Sequence, residues 1–195
     1  MKPLVGILDI SLGNHKCVTQ SCLNAGANII VSNNTTVLDQ CSLLVLPGVG
    51  SFPEGALRLR ESGLDSYLLQ AHEQSRKILG ICLGMHLLSE YSVEFKYTKG
   101  LGLIQGGVHK LTPANMHIGW NEVAYSRSCF FGTASRQPTL FFNHSYALIE
   151  SSHAYAYTYC PNKIVSIVKN SNTYGFQFHP EKSQSMGIEI LKFII

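Results

Sequence analysis

A cysteine between two closely spaced glycines is the feature of this sequence that most clearly points to chemistry. Gly80, Cys82 and Gly84 follow a short apolar run and precede an apolar helical pattern. This Gly-x-Cys-x-Gly spacing is typical of a nucleophile on a tight strand-to-helix turn, where residues without a Cβ are needed. The free N–H groups and the dipole at the start of a helix favour a thiolate. We therefore expect Cys82 to be a nucleophile rather than a small buried apolar residue.

A matching base candidate lies near the C-terminus, in the segment His179-Pro180-Glu181. Pro180 biases the residue before it toward extended backbone, and alternate residues of an extended segment point the same way. His179 and Glu181 are therefore expected to share a face, where the carboxylate would orient the imidazole. Taken alone, the segment fits a surface turn better. Beside a cysteine nucleophile, which needs such a pair, it predicts a triad of Cys82, His179 and Glu181.

Composition narrows the class of protein. The chain has 195 residues, 45% of them hydrophobic and only 14% charged, against about 25% charged in a typical soluble domain. We expect one domain, residues 1–195, with part of its surface covered by another protein. The net charge of +3 without a basic run gives no indication of nucleic-acid binding. The six cysteines have no framework spacing, and no signal peptide or membrane segment is recognisable, so we expect a cytoplasmic protein with reduced thiols.

The elements that must position these residues alternate between apolar strands and helices in the first half of the chain. This pattern predicts an open mixed, mostly parallel sheet with helices on both faces, an α/β fold whose second half is antiparallel. The predicted strands of the first half are 4–9, 28–31, 43–46 and 78–82. The predicted helices run from the turn at Gly13-Asn14 to about residue 25, and over 54–74 and 83–91. Shorter strands are predicted at 103–104, 108–111, 121–125, 140–142, 154–159, 164–168 and 174–178, with a last helix at 183–194.

Several loops offer further candidates. Pro47-Gly48-Val49-Gly50 follows a buried strand and should reach the same sheet edge as Cys82. It has neither the third glycine of a dinucleotide fingerprint nor a following Gly-Lys-Ser/Thr. Its backbone N–H groups could instead bind an oxyanion with the N–H of Leu83, although a plain glycine turn fits equally well. No histidine spacing typical of a metal site occurs, so neither a metal nor a cofactor is expected.

Taken together, these motifs resemble the class I (triad) glutamine amidotransferases, and within them the glutaminase subunits of imidazole glycerol phosphate synthase. The resemblance covers nearly the whole chain. It is carried by Pro47–Phe52, Gly80–Met85, Gly100–Ile104, His117–Asn121, His144–Tyr146 and Gly175–Ser183. It implies a flavodoxin-like glutaminase domain.

The resemblance also implies roles for individual residues. Cys82 would attack the side-chain amide of L-glutamine. His179 would accept the thiol proton and donate a proton to departing ammonia, and Glu181 would orient His179. Leu83, Val49 and Gly50 would hold the oxyanion. The glutamine would be bound by His86, Glu90, His144, Ser145 and Tyr146. Trp120, Asn121 and Asn14 would face a partner.

That partner would be a β/α-barrel cyclase subunit, forming a heterodimer. It would use the ammonia to make imidazole glycerol phosphate and aminoimidazole carboxamide ribonucleotide in histidine biosynthesis. A transfer between proteins is reasonable because free ammonia in neutral water is mostly protonated and a poor nucleophile. A single domain of this length also leaves little room for a second active site.

The sequence departs from the family pattern at several positions. His86 stands where the family usually has glutamine, and Asn143 where it usually has valine; Gln105 replaces a proline, and the opening Asp9–His15 keeps only part of the usual motif. Three alternatives follow: a paralogue that supplies ammonia to a surface-polysaccharide sugar-modifying enzyme, a weakly active regulatory subunit, and a cysteine peptidase of the same superfold. The intact triad favours an enzyme over a regulatory subunit.

Overall fold

The computed structural model describes residues 2–13, 15–114, 116–125 and 137–195. The helices in this part of the chain are α1 (His15–Asn24), α2 (Thr35–Leu38), α3 (Phe52–Glu61), α4 (Leu64–Glu73), α5 (Leu83–Leu88) and α6 (Gln184–Ile194), with a 3-10 turn at Pro180–Lys182. The strands are β1 (Leu4–Leu8), β2 (Asn28–Ser32), β3 (Leu43–Leu46), β4 (Lys77–Ile81), β5 (Ser89–Ser92), β6 (Thr98–Lys99), β7 (Ile104–Lys110), β8 (His117–Glu122), β9 (Ala124–Tyr125), β10 (Thr139–His144), β11 (Tyr146–Leu148), β12 (Ala154–Tyr159), β13 (Lys163–Asn170) and β14 (Thr173–Phe176).

The main sheet has eight strands in the order β2-β1-β3-β4-β14-β13-β12-β9. Strands β2, β1, β3, β4 and β14 are parallel to their neighbours in that order, whereas β13, β12 and β9 continue the sheet in antiparallel fashion. The predicted mixed sheet, parallel first and antiparallel later, is confirmed. Strand β14 lies beside β4, so the segment leading to His179 runs next to the segment leading to Cys82.

Helices cover both faces of this sheet because its inner parallel strands β1 and β3 are apolar throughout. In β3, Leu44 and Leu46 pack with α3 and α4, whereas Leu43 and Val45 pack with α1 and α6. All four side chains are fully buried. Alternate residues of a strand point to opposite faces, so a strand without polar residues requires a covering layer on each side.

Two small sheets lie outside the main one. β8 pairs with β10, and β11, β7, β5 and β6 form a four-stranded sheet. The β8–β10 pairing joins the Gly-Trp-Asn segment to the segment that ends at His144, with His117 opposite His144.

Two predicted helices are shorter than expected. The span 54–74 is two helices, because Gly63 at φ +70° turns the chain between α3 and α4. The helix predicted over 83–91 ends at Leu88, where Ser89 is extended and begins β5, whose next residues pair in the four-stranded sheet. None of the helices in the described ranges is long and apolar enough to cross a membrane.

Candidate active site

Cys82 occupies a strained turn between β4 and α5. Its backbone has φ 52° and ψ −108°, a conformation that costs about 1–3 kcal/mol for a residue other than glycine. The glycines on either side make the turn possible. A Cβ at Gly80 would lie 2.6 Å from the carbonyl oxygen of Gly84, and a Cβ at Gly84 would lie 1.8 Å from that of Leu46. The spacing of the motif therefore reflects backbone packing around the cysteine.

His179 is held beside this turn by two backbone hydrogen bonds. Its N–H donates to the carbonyl of Phe141, and its carbonyl accepts from the N–H of Lys182. The prediction that the backbone stays extended through Glu181 is wrong. Pro180 begins a 3-10 turn, in which its fixed φ is favourable. The two side chains nevertheless meet, with His179 Nδ1 2.7 Å from Glu181 Oε1.

The electrostatics of the site favour a protonated His179. Burial by itself lowers the pKa of this imidazole. The hydrogen bonds and charges of the Cys82 sulfur and the Glu181 carboxylate outweigh burial and raise the pKa to about 9. His179 and Glu181 are almost completely buried, at 2% and 4% exposure. An imidazolium between a sulfur and a carboxylate is the arrangement that nucleophilic thiol chemistry requires.

Cys82 and His179 lie at one wall of a cavity of about 370 Å³, and Glu181 contacts His179 without lining the cavity itself. The cavity is lined by nine residues to which the sequence analysis assigned a role: Val49, Gly50, Cys82, Leu83, His86, His144, Ser145, Tyr146 and His179. Glu94, Met116 and Asn143 complete the lining. Segments from five parts of the chain, residues 49–50, 82–94, 116, 143–146 and 179, therefore meet around the Cys82 sulfur.

The Pro-Gly-Val-Gly loop lies directly against the start of α5. A Cβ at Gly48 would come within 2.7 Å of the Leu83 Cβ, so only glycine allows this approach. Gly50 has φ +117°, and both Val49 and Gly50 reach the cavity. The N–H of Leu83, as the first residue of α5, has no partner within the helix. The three residues predicted to hold an oxyanion, Val49, Gly50 and Leu83, therefore all line the cavity that contains Cys82.

A chain of hydrogen bonds supports the His144 side of the cavity. His117 Nδ1 lies 3.0 Å from His144 Nε2, and His144 Nδ1 lies 2.9 Å from the Tyr146 carbonyl. The amide of Asn121 lies 3.2 Å from His117 Nε2. Burial lowers the pKa of both imidazoles, that of His144 to about 3 with neighbouring charges contributing, so both rings are neutral.

Glu90 is not part of this cavity. Its carboxylate accepts a hydrogen bond from the Gly106 N–H and faces a separate, open depression. Because α5 ends at Leu88, Glu90 lies on β5 and cannot continue the helical face of Cys82.

Glu94, which the sequence analysis missed, lines the cavity instead. Burial raises the pKa of Glu94, although the hydrogen bond from the Phe52 N–H opposes this rise. No spacing marks Glu94 in the sequence, because its position depends on the turn between β5 and β6.

Trp120 and Asn121, two of the residues expected to face a partner, lie on β8, and Met116, which lines the cavity, directly precedes this strand. Met116, Ile118 and Trp120 alternate along one face and are 55%, 59% and 48% exposed; we call these three residues the β8 strip. Trp120 packs edge-on against Phe141. Asn121 points the other way and donates to the Tyr159 carbonyl. Asn14 lies outside the described residues.

Comparison with known proteins places this geometry in context. Residues 7–194 match the family described as glutamine amidotransferase class-I. The chain is 37% identical to imidazole glycerol phosphate synthase subunit HisH of Listeria innocua, covering 97% of this chain and 93% of that protein. It is 34% identical to the subunit of the same name from Oceanobacillus iheyensis, covering 97% and 96%.

Solved structures agree in fold. PurLQS from Thermotoga maritima aligns with a TM-score of 0.78 at 19% identity, covering 100% of this chain and 98% of that one. A structure described as a glutamine amidotransferase aligns with a TM-score of 0.78 at 15% identity, covering 97% and 96%.

Proposed function

The chain belongs to the class I glutamine amidotransferases, and from this premise we propose that it is the glutaminase subunit of an imidazole glycerol phosphate synthase. It hydrolyses L-glutamine to glutamate and ammonia, and passes the ammonia to a cyclase subunit. The observation that carries the proposal is the meeting of Cys82 and His179 at one wall of a cavity, with the Glu181 carboxylate 2.7 Å from His179 Nδ1. The names of the relatives, matched over nearly the full length, supply the pathway.

In the proposed reaction, the Cys82 sulfur attacks the carboxamide carbon of glutamine. The resulting oxyanion is stabilised by backbone N–H groups of Leu83 and the Val49-Gly50 loop. His179 then donates its proton to the leaving nitrogen, the C–N bond breaks, and ammonia departs from a glutamyl thioester. His179, now neutral, takes a proton from water, whose oxygen attacks the thioester carbon and releases glutamate and the thiolate.

Two features of the cavity suit glutamine as the substrate. The Glu94 carboxylate offers a partner for the α-ammonium group, and the polar groups of Ser145 and Tyr146 line the same space. The volume of about 370 Å³ is within the range of small-molecule sites. Glutamine can therefore be bound at its charged end while its amide reaches the sulfur.

The β8 strip is the proposed docking surface for the cyclase. Exposed apolar side chains at alternate positions are typical of an interface core, and tryptophan is enriched at interface hot spots. Met116 belongs to both the strip and the cavity lining. A partner seated on the strip would cover the mouth of the cavity, so that ammonia leaves toward the partner and not into water.

The proposal is tested by measuring glutamate release from glutamine with the purified chain, alone and with the cyclase subunit from the same genome. We expect slow release alone and stimulation by the cyclase. Cys82→Ala should abolish both rates, whereas Cys160→Ala, which alters a half-buried cysteine outside the cavity, should change neither. Full activity of Cys82→Ala would show that the nucleophile is misassigned.

A paralogous subunit that feeds a sugar-modifying enzyme is the second candidate. It is favoured by one observation: two departures from the family pattern, His86 and Asn143, both line the cavity. Glutaminase activity that the cyclase fails to stimulate, together with weak or absent binding of the cyclase, would favour this candidate. Trp120→Ala separates the two further, since it should raise the Kd for the cyclase by about tenfold or more if the strip docks there.

A further inference from the structure

His86 makes a hydrogen bond that determines its tautomer. It lies one helical turn after Cys82, and its Nε2 is 2.8 Å from the side-chain oxygen of Gln177. Both side chains are buried, Gln177 completely and His86 to 5% exposure. An amide oxygen can only accept a hydrogen bond, so Nε2 must carry the hydrogen.

The other end of the Gln177 amide faces the nucleophile. Its nitrogen lies 4.0 Å from the Cys82 sulfur, which is also 4.0 Å from the Asn143 carbonyl oxygen. If the amide were reversed, its oxygen would join the Asn143 carbonyl oxygen beside the sulfur, and a thiolate would lose the amide donor. The orientation with the NH₂ group toward the sulfur is therefore consistent with both neighbours.

We propose that His86 is a positioning residue for the nucleophile: by donating to the Gln177 oxygen, it holds an amide N–H directed at the Cys82 sulfur. The inference rests on the proposed function in taking Cys82 as the nucleophile. It gives the departure at position 86 a role that does not require contact with glutamine. A glutamine at this position could donate to Gln177 in the same way, whereas an apolar residue could not.

Burial leaves His86 neutral, although titratable groups face this pair from several elements. His179 faces the sulfur from the 3-10 turn and is backed by Glu181. His144 approaches His86 from β10, and Glu94 lines the cavity beyond. Burial lowers the pKa of His86 to about 4, with the Gln177 hydrogen bond opposing the shift. The Nε2–H donor is therefore retained throughout the neutral range.

The test is a double-mutant cycle read out by alkylation of Cys82 with iodoacetamide at pH 7 without glutamine, followed by mass spectrometry of the peptide that contains Cys82. His86→Leu and Gln177→Leu should each slow alkylation about three- to tenfold, because the hydrogen bond that stabilises the anionic sulfur is weakened or lost. A smaller fraction of Cys82 is then present as the reactive thiolate. The double variant should be no slower than Gln177→Leu alone, since His86 acts only through Gln177. His86→Gln should restore at least half of the wild-type rate.

Controls separate this effect from misfolding. His72→Leu removes a histidine that contacts Thr173 away from the cavity and should alkylate at the wild-type rate. Circular dichroism of each variant confirms that it is folded. Effects of His86→Leu and Gln177→Leu that multiply in the double variant, or a wild-type rate for His86→Leu, would overturn the proposal. Because no glutamine is present, these outcomes are independent of whether the chain is a glutaminase.

Discussion

His117 donates a hydrogen bond from Nδ1 to Nε2 of His144, across 3.0 Å between two buried rings. The direction follows from the next bond, because His144 must use its Nδ1–H to reach the Tyr146 carbonyl. The Asn121 amide then supplies a donor for the remaining nitrogen of His117. The strand that carries the proposed docking surface is therefore linked to the loop that lines the cavity.

Replacing His117 with phenylalanine should weaken glutamine binding more than turnover. Phenylalanine preserves stacking on Phe142, where the ring centroids are 4.6 Å apart, but leaves the His144 nitrogen without its donor. We expect KM for glutamine to rise about five- to twentyfold, the effect of one unpaired buried polar group, with a smaller change in kcat. Steady-state glutaminase kinetics measure both. His109→Phe, in the four-stranded sheet, is the control and should leave KM unchanged. An unchanged KM in His117→Phe would show that the hydrogen-bond chain does not position the loop that carries His144.

The raised pKa of His179 predicts a loss of stability at alkaline pH. Its folded-state pKa of about 9 lies above the value of about 6.5 in an unfolded chain. Its contribution is therefore complete below about pH 6.5 and is lost as the pH rises through about 9. Relative to His179→Asn, the wild-type free energy of unfolding should fall by on the order of 2–3 kcal/mol more between pH 6 and pH 10. Urea denaturation at both pH values measures this difference, and equal losses in the two proteins would contradict the ion-pair assignment.

Gly84→Ala should destabilise the chain although alanine is the better helix former. Propensity alone would favour alanine in a helix by about 1 kcal/mol. The added methyl group would instead lie 1.8 Å from the Leu46 carbonyl oxygen in the central sheet, and the required shift should cost about 3 kcal/mol or more. Gly63→Ala is the comparison: it adds a methyl group in open space at φ +70° and should cost only about 1 kcal/mol. Thermal or urea unfolding gives both values, and wild-type stability of Gly84→Ala would disprove the close-packing explanation.

The residues of the site were largely predictable where the chemistry depends on short spacing. Gly80, Cys82 and Gly84 define a turn within five residues, and His179 and Glu181 lie two residues apart. β3 was also predicted at its observed bounds, because an unbroken apolar run marks a buried strand directly in the sequence. In each case the sequence itself carries the geometric constraint.

Residues whose position depends on packing between distant segments were not predictable in the same way. Glu90 was expected to bind glutamine because of the family resemblance, but the chain leaves the helix at Ser89 to form β5, and Glu90 faces a separate depression. Glu94 reaches the cavity because its carboxylate accepts a hydrogen bond from the N–H of Phe52, the first residue of α3. The pairing of His86 with Gln177 likewise joins residues 91 positions apart, which no local pattern can indicate.

The central claim is that Cys82 takes the glutamyl group from glutamine. It is tested most directly by mixing the chain with glutamine, quenching in acid during turnover, and determining by mass spectrometry which peptide carries a glutamyl adduct. We predict a hydroxylamine-sensitive thioester on the peptide containing Cys82, absent from Cys82→Ala. Glutamate formation without any adduct on that peptide, or an adduct on another cysteine, would contradict the account.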